Sequence, residues 1–145
     1  MNTRSANQVL LATARLVMGV SVGAADQLGD VSTVQLRALT VIRDLPNPNL
    51  VQLTEGMGVT VSTTSRLVDR LVAAELVSRR PSEATRREIS LELTPRGVEV
   101  LKKYDRLRVR DLRARLETLS PEDQESVLHG LSLLVSAPAA ARAAS

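Results

Sequence analysis

Aliphatic residues recur at helical spacing along most of the chain and at alternate positions over one short stretch. Val9, Leu10, Leu16, Val17, Val20 and Leu28 predict a first long helix from about Asn7 to Leu28. Ser32, with Gln35 three residues on, makes a capping-box pattern ahead of Val34, Leu36, Leu39, Val41 and Ile42, so a second helix should run to about Leu45. Pro46-Asn47-Pro48-Asn49 stops it; Asn49 is placed to cap a short third helix through Leu50, Leu53 and Met57, which Gly58 ends. Thr60 caps a fourth, running to about Leu76. The period then changes. Val77-Ser78-Arg79-Arg80 and the stretch from Glu88 to Leu93 flank the polar Pro81 to Arg87, and Ile89, Leu91 and Leu93 alternate with Glu88, Ser90 and Glu92, which predicts a two-stranded hairpin. Thr94-Pro95 restarts a helix that can run to about Leu119, a rod of roughly 37 Å. Ser120-Pro121-Glu122-Asp123 opens a last helix through Val127, Leu128, Leu131, Leu134 and Val135, and the Ala-rich tail from Ala137 is predicted disordered.

Composition narrows the chemistry. At 145 residues the chain is expected to form one compact unit, and with Tyr104 as its single aromatic residue the core must be built from Leu, Val, Ile and Ala, which suits helices. No uninterrupted apolar run reaches the ~18 residues of a membrane span, and the N-terminus lacks a signal-peptide layout, so a cytoplasmic protein without a membrane partner is expected. The absence of Cys excludes disulfides, thiolate catalysis and thiol-based redox sensing; His129 alone supplies no transition-metal cluster and reads as a solvent-facing residue. There is no Gly-rich phosphate loop after a strand, no nucleophile elbow and no metal-spaced ligand set, so neither a cofactor nor an enzymatic activity is expected.

Charge adds a location. Residues 1–59 carry four basic and four acidic groups, residues 60–115 fourteen and eight, and residues 116–145 one and four. The whole positive excess therefore lies in the middle third, as expected of a polyanion binder. That third contains Thr60-Val61-Ser62-Thr63-Thr64-Ser65-Arg66-Leu67-Val68-Asp69-Arg70-Leu71, a helix whose head is hydroxyls and arginine and whose body is aliphatic. Small hydroxyl side chains let a helix end approach a duplex and bond phosphates or base edges, and Arg is the commonest reader of guanine. An ordinary capped amphipathic helix has the same pattern, so the flanks decide. The third and fourth helices, joined through Gly58-Val59, with a hairpin behind them, describe a winged helix-turn-helix: mainly α, with a wing hairpin.

These residues resemble the MarR family of bacterial transcriptional regulators over nearly the whole chain. The likeness is most specific from Val59 to Leu71 and from Arg80-Pro81 through Arg86-Arg87 to Leu93-Thr94-Pro95-Arg96-Gly97, the latter similar to the family's wing and the turn into its long helix. The resemblance implies a winged domain over residues 31–94, helical dimerisation regions over 1–30 and 95–136, and a flexible tail over 137–145. It implies a homodimer on a palindromic operator of double-stranded DNA, with recognition helices in successive major grooves and wings in minor grooves, acting as a repressor. It places Ser62, Thr63, Thr64 and Ser65 at the recognition-helix head. Ser62 and Thr63 are read as phosphate or base-edge contacts and Arg66 as base reader or phosphate clamp. Thr64 is a contact or, since an aliphatic often packs inward there, a core residue. Arg70 is a phosphate clamp or the partner of an acid, Arg86 the minor-groove residue, and Arg87 a wing contact or a brace of the hairpin. The arginines at 106, 108, 110, 113 and 115 are read as solvated or as pairs on the dimer surface.

Two departures stand out. Thr85 occupies the place of an Asp that commonly braces the family's wing, with Glu83 as a candidate substitute, and Glu75 occupies the place of a Gly that often ends the recognition helix. The resemblance also implies control by a small aromatic or phenolic effector or by thiol oxidation; the lack of Cys removes the second, and the first stays unnamed. The alternative reading is a winged-helix protein-interaction module without sequence-specific DNA binding, since a fold alone does not license a function. A docking face would be expected to carry aromatics or an apolar patch where this chain carries hydroxyls and arginines.

Overall fold

The structure is a computed structural model that describes residues 2–82 and 88–138. Its elements are α1 (Thr3–Leu28), α2 (Thr33–Asp44), α3 (Leu50–Met57), α4 (Val61–Ala73), β1 (Val77–Pro81), β2 (Ile89–Leu93), α5 (Pro95–Leu116) and α6 (Pro121–Ser136). They form the predicted mainly helical winged helix-turn-helix, but in two compact units, Met1–Val109 and Arg110–Ser145, rather than the one unit expected from length.

Local chemistry sets the helix starts. Ser32 Oγ accepts the Gln35 N–H at 3.2 Å while Gln35 Oε1 accepts the Ser32 N–H at 2.9 Å, a complete capping box. Asn49 and Gln52 repeat it at the head of α3. Gly58 ends α3 in the left-handed region at φ 67°, where a side chain would be strained. In the first unit Leu36, Leu39, Leu53, Leu71, Leu76 and Leu101 are fully buried, so α2, α3, α4, the hairpin and the start of α5 share one aliphatic core.

The strands pair antiparallel in the register Val77↔Leu93 to Pro81↔Ile89. Strict alternation does not hold on β2: Ser90 and Leu91 are buried, whereas Ile89 is exposed. The cause is local. The Leu91 N–H bonds the Pro48 carbonyl at 2.8 Å, so the α2–α3 linker covers β2 there, while Ile89 lies beyond it towards the wing.

The helix boundaries differ from the periodic pattern at three ends: α1 starts at Thr3, where Asn2 Oδ1 accepts the Ser5 N–H at 2.9 Å, four residues before the expected Asn7. α4 stops at Ala73 because the chain turns through a Schellman arrangement: Glu75 N–H bonds Val72 O at 3.0 Å and Leu76 N–H bonds Leu71 O at 2.9 Å. Glu75 takes the left-handed position itself, at φ 59°. A side chain costs roughly 1 kcal/mol there; the two closing bonds, and a 2.6 Å bond from Thr94 Oγ1 to the Glu75 carbonyl, offset it. α5 ends at Leu116, where Leu119 N–H turns back to Leu116 O at 3.0 Å.

α1 bears on the expectation about membrane spans. It is long and apolar enough, by length and composition, to cross a membrane, with an 18-residue window of mean hydropathy 1.5. The interrupting Gly, Ser and Thr residues break the apolar run without lowering its average far. Its buried residues, Val20, Ala24 and Ala25, lie in its last three turns, while Val9, Leu10, Leu11, Val17 and Met18 are exposed.

In the second unit Ser120 Oγ accepts the Asp123 N–H at 3.2 Å to start α6, with Glu122 and Asp123 in the first turn. No residue of α6 is buried, and His129 is exposed.

An ion cluster ties α2 to α5 within the first unit. Asp105 accepts from Arg43 Nη1 and Arg108 Nη2, both at 2.6 Å, and the Arg108 guanidinium lies 4.2 Å from the centre of the buried Tyr104 ring. Burial opposes ionisation of Asp105, but the two arginine hydrogen bonds and charges outweigh it and hold the carboxyl below its ordinary value of 3.8. A depressed folded pKa contributes stability above the unfolded value and loses it as pH falls through the folded one. The stability gap between the native chain and Asp105→Asn should therefore be present at pH 7, shrink once pH falls past the ordinary value of 3.8, and close as pH falls through the lower folded value, in paired urea titrations. A gap that widens on acidification would contradict this.

Candidate nucleic-acid interface

Thr60, Ser62 and Thr63 are built into one hydroxyl cluster at the head of α4. Thr60 Oγ1 accepts the Thr63 N–H at 3.3 Å, donates to Thr63 Oγ1 at 2.9 Å and lies 3.2 Å from Ser62 Oγ. A hydroxyl has one proton, so with Thr60 donating to Thr63, the Thr63 proton is free to point outward. Sequence reasoning assigned Thr60 to capping alone; its role in fixing both neighbours was missed, although three hydroxyls at spacings of two and three residues were a visible signal.

The α4 side chains divide sharply. Leu67, Val68 and Leu71 are buried, while Ser62, Thr63, Arg66 and Arg70 are exposed and Ser65 is half-buried. The head is thus a polar, exposed surface on a helix whose other face is locked into the core, so a ligand meeting it finds side chains whose backbone is already fixed. Among the described residues neither Arg66 nor Arg70 forms an ion pair. The acid partner considered for Arg70 is absent there, and the neighbouring acid, Asp69, pairs instead with Arg79 of β1.

Thr64 leaves the contact set. It is fully buried, and its hydroxyl donates to the Thr60 carbonyl at 3.0 Å. Facing inward at the position where aliphatics pack, it satisfies its hydroxyl against its own helix and has no surface for a ligand. The Thr60 carbonyl also accepts the Thr64 N–H at 3.0 Å, so removing the hydroxyl orphans nothing. Thr64→Val should accordingly change unfolding free energy by less than about 1 kcal/mol in a urea titration. A loss above 2 kcal/mol would place the hydroxyl in a more demanding role.

The hairpin stands behind this head. Asp69–Arg79 ties α4 to β1, and Arg80 Nε pairs with Glu92 Oε2 across the strands at 2.7 Å. Neither pair was read from the sequence, because partners ten or more positions apart leave no periodic trace. Arg86 and Arg87, with Glu83 and Thr85, lie outside the described residues. Arg108 is not a solvated arginine but belongs to the Asp105 cluster. Among the described residues no group of His, Asp and Glu could hold a metal ion.

The MarR family model matches residues 31–89, which span α2 to the start of β2. The HTH-type transcriptional regulator YfiV of Bacillus subtilis strain 168 is 32% identical over 106 residues, a match covering 72% of this chain and 66% of that protein. Among solved structures, RV1404 from Mycobacterium tuberculosis is 28% identical and superposes with a TM-score of 0.85 over 97% of each chain. A Staphylococcus aureus MepR mutant bound to an oligodeoxyribonucleotide shares the fold, with a TM-score of 0.68 at 17% identity over 94% of this chain and 98% of that one. The matched winged region, the similarity to YfiV and the near full-length superposition lead to one conclusion: this chain belongs to the MarR family.

Proposed function

We propose that the chain is a DNA-binding transcriptional regulator, a cytoplasmic repressor that binds a palindromic operator as a homodimer. The observation that carries this reading is the head of α4, where Ser62, Thr63 and Arg66 are exposed on a helix anchored by Thr64, Leu67, Val68 and Leu71. In each protomer α4 enters a major groove, with Ser62 and Thr63 on phosphates or base edges, Arg66 on a base or phosphate, and Ser65 and Arg70 alongside. Arg86 and Arg87 enter the reading from the sequence alone, as the wing's contacts in the minor groove. Dimerisation through residues 1–30 and 95–136 gives a role to the exposed aliphatics of α1 and to Val127, Leu128, Leu131 and Leu134 of α6. A small-molecule effector belongs to the reading by family likeness, with its chemistry unassigned.

The test is binding of the duplex upstream of the chain's own gene, followed by fluorescence anisotropy between 50 and 200 mM salt, together with sedimentation at micromolar concentration. A dimer whose log affinity falls linearly with log salt is expected. A monomer, or a chain that does not bind duplex DNA, would overturn the reading and favour the protein-interaction alternative.

A further inference from the structure

We propose that Ser62 reads an exocyclic amino group, of adenine or cytosine, in the major groove, and that Thr60 is the positioning residue that commits Ser62 to this by taking up its hydroxyl proton. This deepens the DNA-binding reading and rests on it.

The three hydroxyls at the head of α4 form a chain with a direction. Thr60 Oγ1 donates its one proton to Thr63 Oγ1 at 2.9 Å and accepts the Thr63 N–H at 3.3 Å. Ser62 Oγ lies 3.2 Å from the same oxygen. With the Thr60 proton committed to Thr63, that contact is a hydrogen bond with Ser62 as its donor. Thr60 Oγ1 is then complete, with one proton given and two lone pairs filled. Among the described residues neither Ser62 Oγ nor Thr63 Oγ1 has a partner outside this chain. The two neighbours therefore face outward with opposite characters. Ser62 has given up its proton and keeps two lone pairs, while Thr63 keeps its proton and one lone pair. Both side chains are exposed, on a helix whose inner face is buried at Thr64, Leu67, Val68 and Leu71.

DNA has a matching asymmetry. Phosphate oxygens only accept, so Ser62 in this arrangement has nothing to give one, whereas Thr63 donates to a phosphate oxygen without disturbing the chain. In the major groove the donors are the N6 amino group of adenine and the N4 amino group of cytosine, and guanine and thymine present the acceptors O6 and O4 instead. Ser62 thus favours A or C over G or T at the base it faces. A serine on its own would not discriminate, since its hydroxyl turns to donate or to accept as the base requires. The preference comes from Thr60, which acts through Ser62 rather than on a base.

The experiment starts from a duplex selected out of a randomised pool by the full-length native chain. Each adenine of the site is replaced in turn by purine, which lacks the N6 amino group, and each cytosine by 2-pyrimidinone, which lacks the N4 amino group. Affinity is followed by fluorescence anisotropy for the native chain, Ser62→Ala, Thr63→Val and Thr63→Ser. At one position in each half-site, removing the amino group should weaken the native chain roughly 2- to 12-fold more than it weakens Ser62→Ala, the range of one neutral hydrogen bond. Thr63→Val keeps the backbone N–H that Thr60 caps but removes the acceptor of the Thr60 proton. That proton then turns to Ser62 Oγ and releases the Ser62 proton outward, so the amino preference should disappear and site selection should admit G or T there. Thr63→Ser keeps the hydroxyl and should behave as the native chain does. Should Thr63→Val disturb the helix head, Thr63→Ala breaks the chain at the same atom. Amino-group removal that affects the native chain and Ser62→Ala alike at every position would overturn the Ser62 contact. An amino preference that depends on Ser62 but persists in both Thr63→Val and Thr63→Ala would overturn the role of Thr60. If the native chain enriches no sequence, the DNA-binding reading falls and this assignment with it.

Discussion

Gly97→Ala should be among the most destabilising single substitutions in this protein, lowering the melting temperature by about 10 °C or more. A Cβ built on Gly97 falls 2.1 Å from the Leu76 carbonyl oxygen and 3.1 Å from its carbon, well inside van der Waals contact. The obstacle is backbone, so no rotamer change relieves it. That oxygen also accepts the Thr94 N–H, while Thr94 caps the first turn of α5 and bonds the Glu75 carbonyl at 2.6 Å. Moving Leu76 therefore disturbs the end of α4, the start of β1 and the head of α5 together. Overpacking of a core side chain typically costs 1 to 3 kcal/mol, and a clash with fixed backbone should reach the upper part of that range or exceed about 3. Set against a typical total stability of roughly 5 to 15 kcal/mol, that is a large share. Thermal unfolding followed by circular dichroism checks it, and a shift of less than 2 °C would mean that the junction yields.

Arg66→Ala should weaken duplex binding by roughly 5- to 150-fold while leaving the fold intact. Arg66 is exposed, one turn into α4 from the Ser62-Thr63 head, and forms no ion pair among the described residues. Truncating it removes no core contact and leaves no buried partner, so its effect belongs to the ligand. The two roles open to it separate cleanly. A base contact is worth about 1 to 3 kcal/mol and its loss relaxes sequence preference at one position; a phosphate contact weakens all sequences alike and lowers the salt slope by about one. Isothermal titration with cognate and scrambled duplexes at two salt concentrations distinguishes them. Unchanged affinity for both duplexes would remove Arg66 from the interface.

The helix starts were legible because they rest on short-range chemistry: Ser32 with Gln35, Asn49 with Gln52, Thr60 and Ser120 each cap as the residue types dictate. The Gly58 stop was legible for the same reason. Three things were not. Thr64 gives conflicting signals, because its helical period points inward and its hydroxyl outward; the conflict disappears only when that hydroxyl is seen to bond the preceding turn. Ile89 follows the strand's alternation but sits past the cover that Pro48 gives to β2, and period alone does not mark where cover ends. The Arg43–Asp105 and Asp69–Arg79 pairs join residues brought together by the tertiary fold, and among so many charges no local pattern singles them out. The electrostatic picture was therefore visible as a basic middle third, while the pairing inside it is set by the tertiary fold.

On the proposed reading, the head of α4 reads a major groove in each half of a dimer. Its most direct test is dimethyl sulfate footprinting of guanine N7, an atom displayed in the major groove, on a duplex carrying a site selected by the chain. Two protected patches on one face of the duplex, one helical turn apart, are expected, both lost in Arg66→Ala. Protection in a single patch, or none at guanine N7 despite tight binding, would contradict it.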